Sequence, residues 1–335
     1  MAQYKLANVA QQRLASDAYV LDLRRTVAGL AAISSDQRLT LLDAQTLAVT
    51  SSRTLTHGNS TSLAPLGPSS NIVCTAGEDG SVAMWDVRAR EQIACFRATS
   101  SPILSMACSE SSNTIAVGTE LQEQTASIHV WDLRGPTMRA HYQEVHSDDV
   151  TTLSFHPTSP ALLLSGSTDG LVNLYDTRVA DEDDVTLQTL NHDASIHHAG
   201  FLSDNIVFAL SHDERFSLYD GVALEPQDTS ATTTIPFGDI RGPLDCRYVA
   251  DVVPKTDGTG AVLGAGSHDR QSFDLVFLTR DPVKPSSWLL DRANSVGLPG
   301  AHGEEIVRAF CFLDEEQLVF TAGEDGNVKA WRPNG

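Results

Sequence analysis

A histidine, a hydroxyl residue and an aspartate recur together along this 335-residue chain. The sets are His57, Thr75 and Asp79; His146, Ser165 and Asp169; and His302, Thr321 and Asp325. An imidazole that takes a proton from a hydroxyl, while a carboxylate fixes its tautomer, is the machinery of acyl transfer. The same set recurring at matching offsets argues against that chemistry, because a hydrolase needs only one. Each set is followed by an aromatic residue, Trp85, Tyr175 or Trp331. Indole N–H, hydroxyl, imidazole and carboxylate can chain donor to acceptor, each satisfying another's buried group. The expected role is a structural relay, with no catalytic residue. The set ending in Tyr175 lacks the indole and is expected to be altered or shorter.

Other reactive patterns are weaker. His197 and His198 beside His192 have no cysteine or carboxylate at a ligand-like interval, so ordinary strand and loop histidines are the plainer reading. Asp181-Glu182-Asp183-Asp184 lacks the glycine and the later glutamate of a calcium loop and reads as a solvated acidic turn. No glycine-rich phosphate loop precedes a helical pattern. Neither metal nor cofactor is expected.

The elements that hold these residues are short strands. Between His146 and Arg178, Val150–Phe155, Ala161–Ser167 and Leu171–Asp176 alternate apolar and polar residues. Pro157 and Pro160 separate the first two, and Thr168-Asp169-Gly170 the second pair, which reads as three antiparallel strands. The pattern returns at 72–88, 115–134 and 318–331. Third strands end at 43, 86, 132, 176, 220, 278 and 332, in steps of 43, 46, 44, 44, 58 and 54. The first four steps match the period of four-stranded propeller blades. The last two are stretched by 221–245 and 280–300, which read as outer strands plus long surface loops.

Trp-Asp closing the third strand, a Gly-Glu-Asp-Gly or Ser-Thr-Asp-Gly turn before it, and a histidine about 23 residues upstream of that turn's aspartate together resemble the WD-repeat family. The resemblance covers essentially the whole chain. It implies an all-β, seven-bladed propeller spanning residues 1–335 as one domain. The third unit, with LQEQT where the aspartate turn belongs, and the sixth, over Arg247–Leu278, are degenerate, and packing is expected to hold them. The last blade would lack an outer strand, leaving unpaired edge groups. The strand at 4–10, YKLANVA, is expected to fill that place, as the family resemblance also implies.

Composition points to the partners. Asp+Glu number 43 against Lys+Arg 23, for a net charge of −20. Such a field repels a phosphate backbone and favours a basic protein segment over nucleic acid. No apolar run approaches membrane-spanning length. Five cysteines without CxxC spacing, and an N-terminus without an apolar leader core, lead us to expect a reduced intracellular compartment, nucleus or cytoplasm. The fold implied by the resemblance brings the loops before first strands and the second-to-third turns to one rim. Glu78, Asp148, Asp149, Glu214, Glu304, Glu305 and Glu324 would form an acidic ring there, with Phe237 and Arg241 as anchor types. The leading expectation is a non-enzymatic protein-interaction scaffold, monomeric within a complex. The alternatives are an escort for a basic client, such as a ribosomal protein or histone, and a substrate receptor of a cullin-based ubiquitin ligase. The last draws on Arg88, Arg134 and Arg178, which resemble the WDxR box of such receptors. The plainer reading is that each arginine pairs with a neighbouring aspartate at its own blade edge.

Overall fold

A computed structural model describes residues 4–14, 17–135, 137–179, 181–225, 231–284 and 286–333. Among them the strands form five four-stranded sheets and one eight-stranded sheet. They group into two compact units. One comprises Met1–Thr56, Val87–Arg90 and Arg241–Gly335, the other His57–Asp86 and Glu91–Ile240.

The second unit holds four antiparallel sheets, each made of four strands consecutive in sequence. The sheet of the His146–Arg178 stretch joins Val150–Phe155, Leu162–Ser167, Leu171–Asp176 and Thr186–Asn191. Its second strand is buried at all six positions, whereas its first is buried only at every third. Apolar residues of neighbouring sheets close over that second strand. Leu162, Leu164 and Leu174 meet Ile196, Phe201, Val207 and Tyr219 of the following sheet in one cluster. Each such side chain contributes about 1.5–3 kcal/mol when fully buried, so this packing carries most of the stability of a repeat. Outer strands carry no such load. Glu91–Arg97 is exposed at all positions but Phe96, which explains why its sequence shows no burial pattern.

The first unit contains one four-stranded sheet, running Val20–Thr26, Gly29–Ser34, Arg38–Leu42 and Val49–Thr54, and the eight-stranded sheet. Half of the latter is Tyr248–Pro254, Gly260–Ser267, Ser272–Arg280 and Trp288–Pro299. The other half is Val307–Leu313, Leu318–Gly323 and Asn327–Pro333, completed by Tyr4–Arg13. That N-terminal strand pairs antiparallel with the last one, from Leu6 opposite Pro333 to Arg13 opposite Asn327. It also pairs in parallel at Tyr4 and Lys5 with Val296 and Gly297, which joins the halves. The edge of Asn327–Pro333 is thereby satisfied rather than open.

Two expectations change in detail. Within 221–245, read as an outer strand plus a long surface loop, the outer strand is Thr233–Asp239, paired with Arg215–Asp220, and it carries Phe237, which was expected as a rim anchor. The acidic run at 181–184 is a single helical turn, Glu182–Val185, whose first turn is capped by the Asp181 carboxylate accepting from the Asp183 N–H. No helix among the described residues is long and apolar enough to cross a membrane.

Candidate functional site

In the last sheet, the Trp331 Nε1–H donates to Thr321 Oγ1 at 2.9 Å. Thr321 Oγ1 lies 2.8 Å from His302 Nε2, and His302 Nδ1 lies 2.6 Å from Asp325 Oδ1. One neutral tautomer satisfies every partner: Nδ1–H donates to the carboxylate, and Nε2 accepts from the threonine hydroxyl. Burial holds the His302 pKa below its usual value, against the pull of Asp325. Burial also opposes the Asp325 charge, but the His302 hydrogen bond and the Asn327 contacts outweigh it and hold this carboxyl far below the usual range. Strand register sets the geometry. Trp331 stands opposite Val319, and Thr321 lies two residues on, on the same face.

The sheet containing Trp85 repeats this with one added member. Trp85 Nε1–H donates to Thr75 Oγ1 at 2.9 Å, and Thr75 Oγ1 is 2.8 Å from His57 Nε2. His57 Nδ1, however, lies 2.7 Å from Ser81 Oγ, which donates to Asp79 Oδ1 at 2.7 Å. The direct His57–Asp79 separation is 3.7 Å, so Ser81 is an intermediary that the spacing of the other members did not reveal. Gly77 is required here, because a Cβ would fall 2.5 Å from the His57 Cβ and 2.4 Å from the Asn59 carbonyl.

The relay at Tyr175, expected to be altered or shorter, is altered at its aromatic member and keeps its length. Ser165 Oγ lies 2.7 Å from the Tyr175 hydroxyl and 2.6 Å from His146 Nε2, and His146 Nδ1 lies 2.9 Å from Asp169 Oδ2. The phenol takes the indole's place because its O–H can donate to the Ser165 hydroxyl as an indole N–H would, and burial raises its pKa. Where Trp131 closes the third strand, the hydroxyl is missing. Ile115 is opposite Trp131, so Val117 holds the place of Thr75. Trp131 Nε1 accordingly has no partner, and the ring packs on Phe96 at 5.2 Å.

Glu304 and Glu305 are exposed, as is Glu78, which accepts from Asn59 Nδ2 at 2.9 Å. Asp148 and Asp149 are half-buried, and Asp149 Oδ1 accepts from the Leu121 N–H at 2.7 Å. Glu324 is engaged by Arg308 Nε at 2.8 Å. Glu214 is corrected: it is 8% exposed, not a solvent-facing rim carboxylate, and its carbonyl accepts from the Ile240 N–H. Phe237 is half-buried against Phe216 at 5.4 Å, while Arg241 is exposed at the start of the turn Arg241–Leu244. Arg178 forks back onto Asp176 at 2.8 and 2.6 Å, and Arg134 grips Asp132 in the same way, with Nε–Oδ1 at 2.9 Å. Arg88 lies just beyond the strand Ser81–Asp86, in the other unit. His197 packs against His198 and His212 at 4.0 and 4.9 Å, but among the described residues no group of three or more ligand types could hold a metal.

The family model of the WD domain, G-beta repeat, matches residues 49–86, 138–176 and 295–332. Each match opens in or beside an outer strand and runs through the three strands that follow it in sequence. An uncharacterized WD repeat-containing protein of Schizosaccharomyces pombe is 34% identical over 78% of this chain and 80% of its own length. The chain belongs to the WD-repeat family. A second such protein, from Saccharomyces cerevisiae, is 33% identical over 78% of this chain and 64% of its own length. The WD repeat-containing protein 89 homolog of Dictyostelium discoideum is 26% identical over 94% of this chain and 83% of its own. The all-β sheets described above are those of a WD-repeat propeller, and WD repeats indicate a role as a protein-interaction scaffold. WD-repeat proteins generally serve as non-enzymatic scaffolds that bind other proteins.

Proposed function

We propose that the protein is a non-enzymatic scaffold that recruits a basic segment of a partner protein through exposed acidic turns. The observation that carries this reading is the Glu304-Glu305 turn. Both side chains are exposed and make no ion pair among the described residues, in a chain of net charge −20. Adjacent His302 is fully committed to its relay, so the turn sits on a fixed base and presents carboxylates alone. A cationic peptide approaching it is attracted at long range and loses little by docking at an exposed site. The triad-like sets support a structural role, since every histidine nitrogen in them already has a partner.

The test is binding of a labelled lysine-rich peptide by fluorescence anisotropy. Replacing Glu304→Lys and Glu305→Lys together is expected to weaken it about tenfold, and raising salt to do the same. Equal binding by the variant and the native protein would refute the reading. Asp149→Lys is a poorer probe, because it also removes the acceptor of the Leu121 N–H. Escort of a ribosomal protein or histone is a narrower form of this reading and rests on the charge alone. The ligase-receptor reading draws on Arg134 and Arg178, whose guanidinium forks face their own strand's aspartate.

A further inference from the structure

The buried histidines His57, His146, His156, His192 and His302 each have both ring nitrogens hydrogen-bonded. His129 departs from that rule. It lies on the strand Ile128–Asp132, is only 8% exposed, and its Nδ1 has no partner. Directly opposite, on the outer strand Thr137–Tyr142, stands His141, whose Nε2 is also buried without a partner. Among the described residues neither ring makes a hydrogen bond through any nitrogen. The two rings stack, with centroids 4.1 Å apart and planes 21° from parallel. Buried polar atoms without a partner are rare in native proteins, and two of them on facing rings point to a shared ligand.

Imidazoles in this state suit metal coordination. Burial, joined for His129 by the facing imidazole, holds both rings below their usual pKa, so each is neutral at ordinary pH and keeps a lone pair. Residues directly opposite in antiparallel strands place their Cβ atoms about 4.5–5.5 Å apart. That spacing lets one ion, about 2.0–2.1 Å from a nitrogen of each ring, bind both. The torsion about the Cβ–Cγ bond of histidine is soft, and half-buried His141 can tilt to meet the ion. Access is open from its own strand, where Thr137, Met138 and Arg139 are exposed. Val117, opposite His129 on the other neighbouring strand, offers no side-chain group that competes for the ring.

We propose that His129 and His141 form a two-histidine site for a divalent late transition-metal ion of the copper and zinc class. Imidazole nitrogen suits these ions, whereas magnesium and calcium take oxygen ligands. No third ligand type joins the pair among the described residues, so the ion's other positions belong to water. The net charge of −20 draws divalent cations toward the chain. His197, His198 and His212 also touch one another, but His212 Nδ1 already lies 3.2 Å from Ser195 Oγ, and His197 and His198 have interactions of their own. The site is separate from the acidic turns, so it stands whether or not a basic partner binds there.

The test uses the full chain, stripped of metal with EDTA and then given up to one equivalent of copper(II). Pulsed EPR counts the imidazoles bound to the ion, and two are expected. His141→Phe keeps a ring in the stack and is expected to leave one imidazole and weaken copper binding about tenfold or more. His129→Phe, on the facing strand, is expected to do the same. The melting temperature of each metal-free variant shows that the loss is not one of fold, and either variant suffices if the other fails to fold. His197→Ala with His212→Ala is the control and is expected to leave the first equivalent unchanged. Copper bound alike by the phenylalanine variants and the native chain, or lost in the control, would mean an adventitious ion only and overturn the proposal. Absence of copper binding to the native chain would overturn it too.

Discussion

At the scale of single residues, the relays couple stability to particular atoms. Thr321 accepts from Trp331 and donates to His302, so Thr321→Val strands two buried partners. Each unsatisfied group costs about 1–3 kcal/mol, and a loss of at least that size is expected in chemical denaturation. His129 presents the opposite case. It stacks on His141 at 4.1 Å, its Nδ1 has no partner, and burial followed by the neighbouring imidazole lowers its pKa to about 4. A depressed folded pKa means the unfolded chain takes the proton first, so stability is full above about 6.5 and lost as pH falls toward about 4. His129→Phe is expected to flatten the stability–pH curve across that window with little loss at neutral pH. A slope unchanged by the substitution would assign the acid sensitivity to other groups. His57, His192 and His302, also depressed by burial, act in the same direction. The main members of these sets were legible in the sequence, because each strand places its residue by register. Ser81 was not, since a serine two residues after an aspartate is an ordinary turn residue until its hydroxyl is seen 2.7 Å from His57.

At the scale of elements, the inner three strands of the His146–Arg178 sheet could be read because alternation, proline breaks and Asp-Gly turns all mark them. Outer strands resisted the same reading. Glu91–Arg97 and Thr233–Asp239 lie largely in solvent on at least one face, so burial imposes no period on them. Glu214 was misread for a related reason: a charged residue in a turn is normally solvated, whereas this one is buried. The sheet ending at Trp131 offers a test of register. Val117→Thr would place a hydroxyl where Thr75 sits in the sheet of Trp85, within reach of the partnerless Trp131 indole. It is expected to cost less than Val319→Thr, which lies opposite an indole that already has its acceptor. Equal costs in thermal melts would contradict the shared register.

At the scale of the whole molecule, charge and strand order act together. A net charge of −20 repels itself at low ionic strength, so raising salt toward physiological levels is expected to raise the melting temperature. We propose that residues 1–335 unfold as one domain, because the chain's first strand is hydrogen-bonded to its last. Without Tyr4–Arg13, the strand Asn327–Pro333 would expose a row of backbone donors and acceptors beside Trp331. Apolar cover from Leu6 and Ala10 would go as well, since both pack against the neighbouring core clusters. At about 1 kcal/mol per hydrogen bond lost, several kcal/mol are at stake, on the order of 10 °C in a melt. The most direct measurement is therefore calorimetry of the chain lacking residues 2–12 beside the full chain. The truncated chain is expected to melt lower by about that amount with a broadened transition; the same sharp transition at an unchanged temperature would contradict the N-terminal strand's role in closing that sheet.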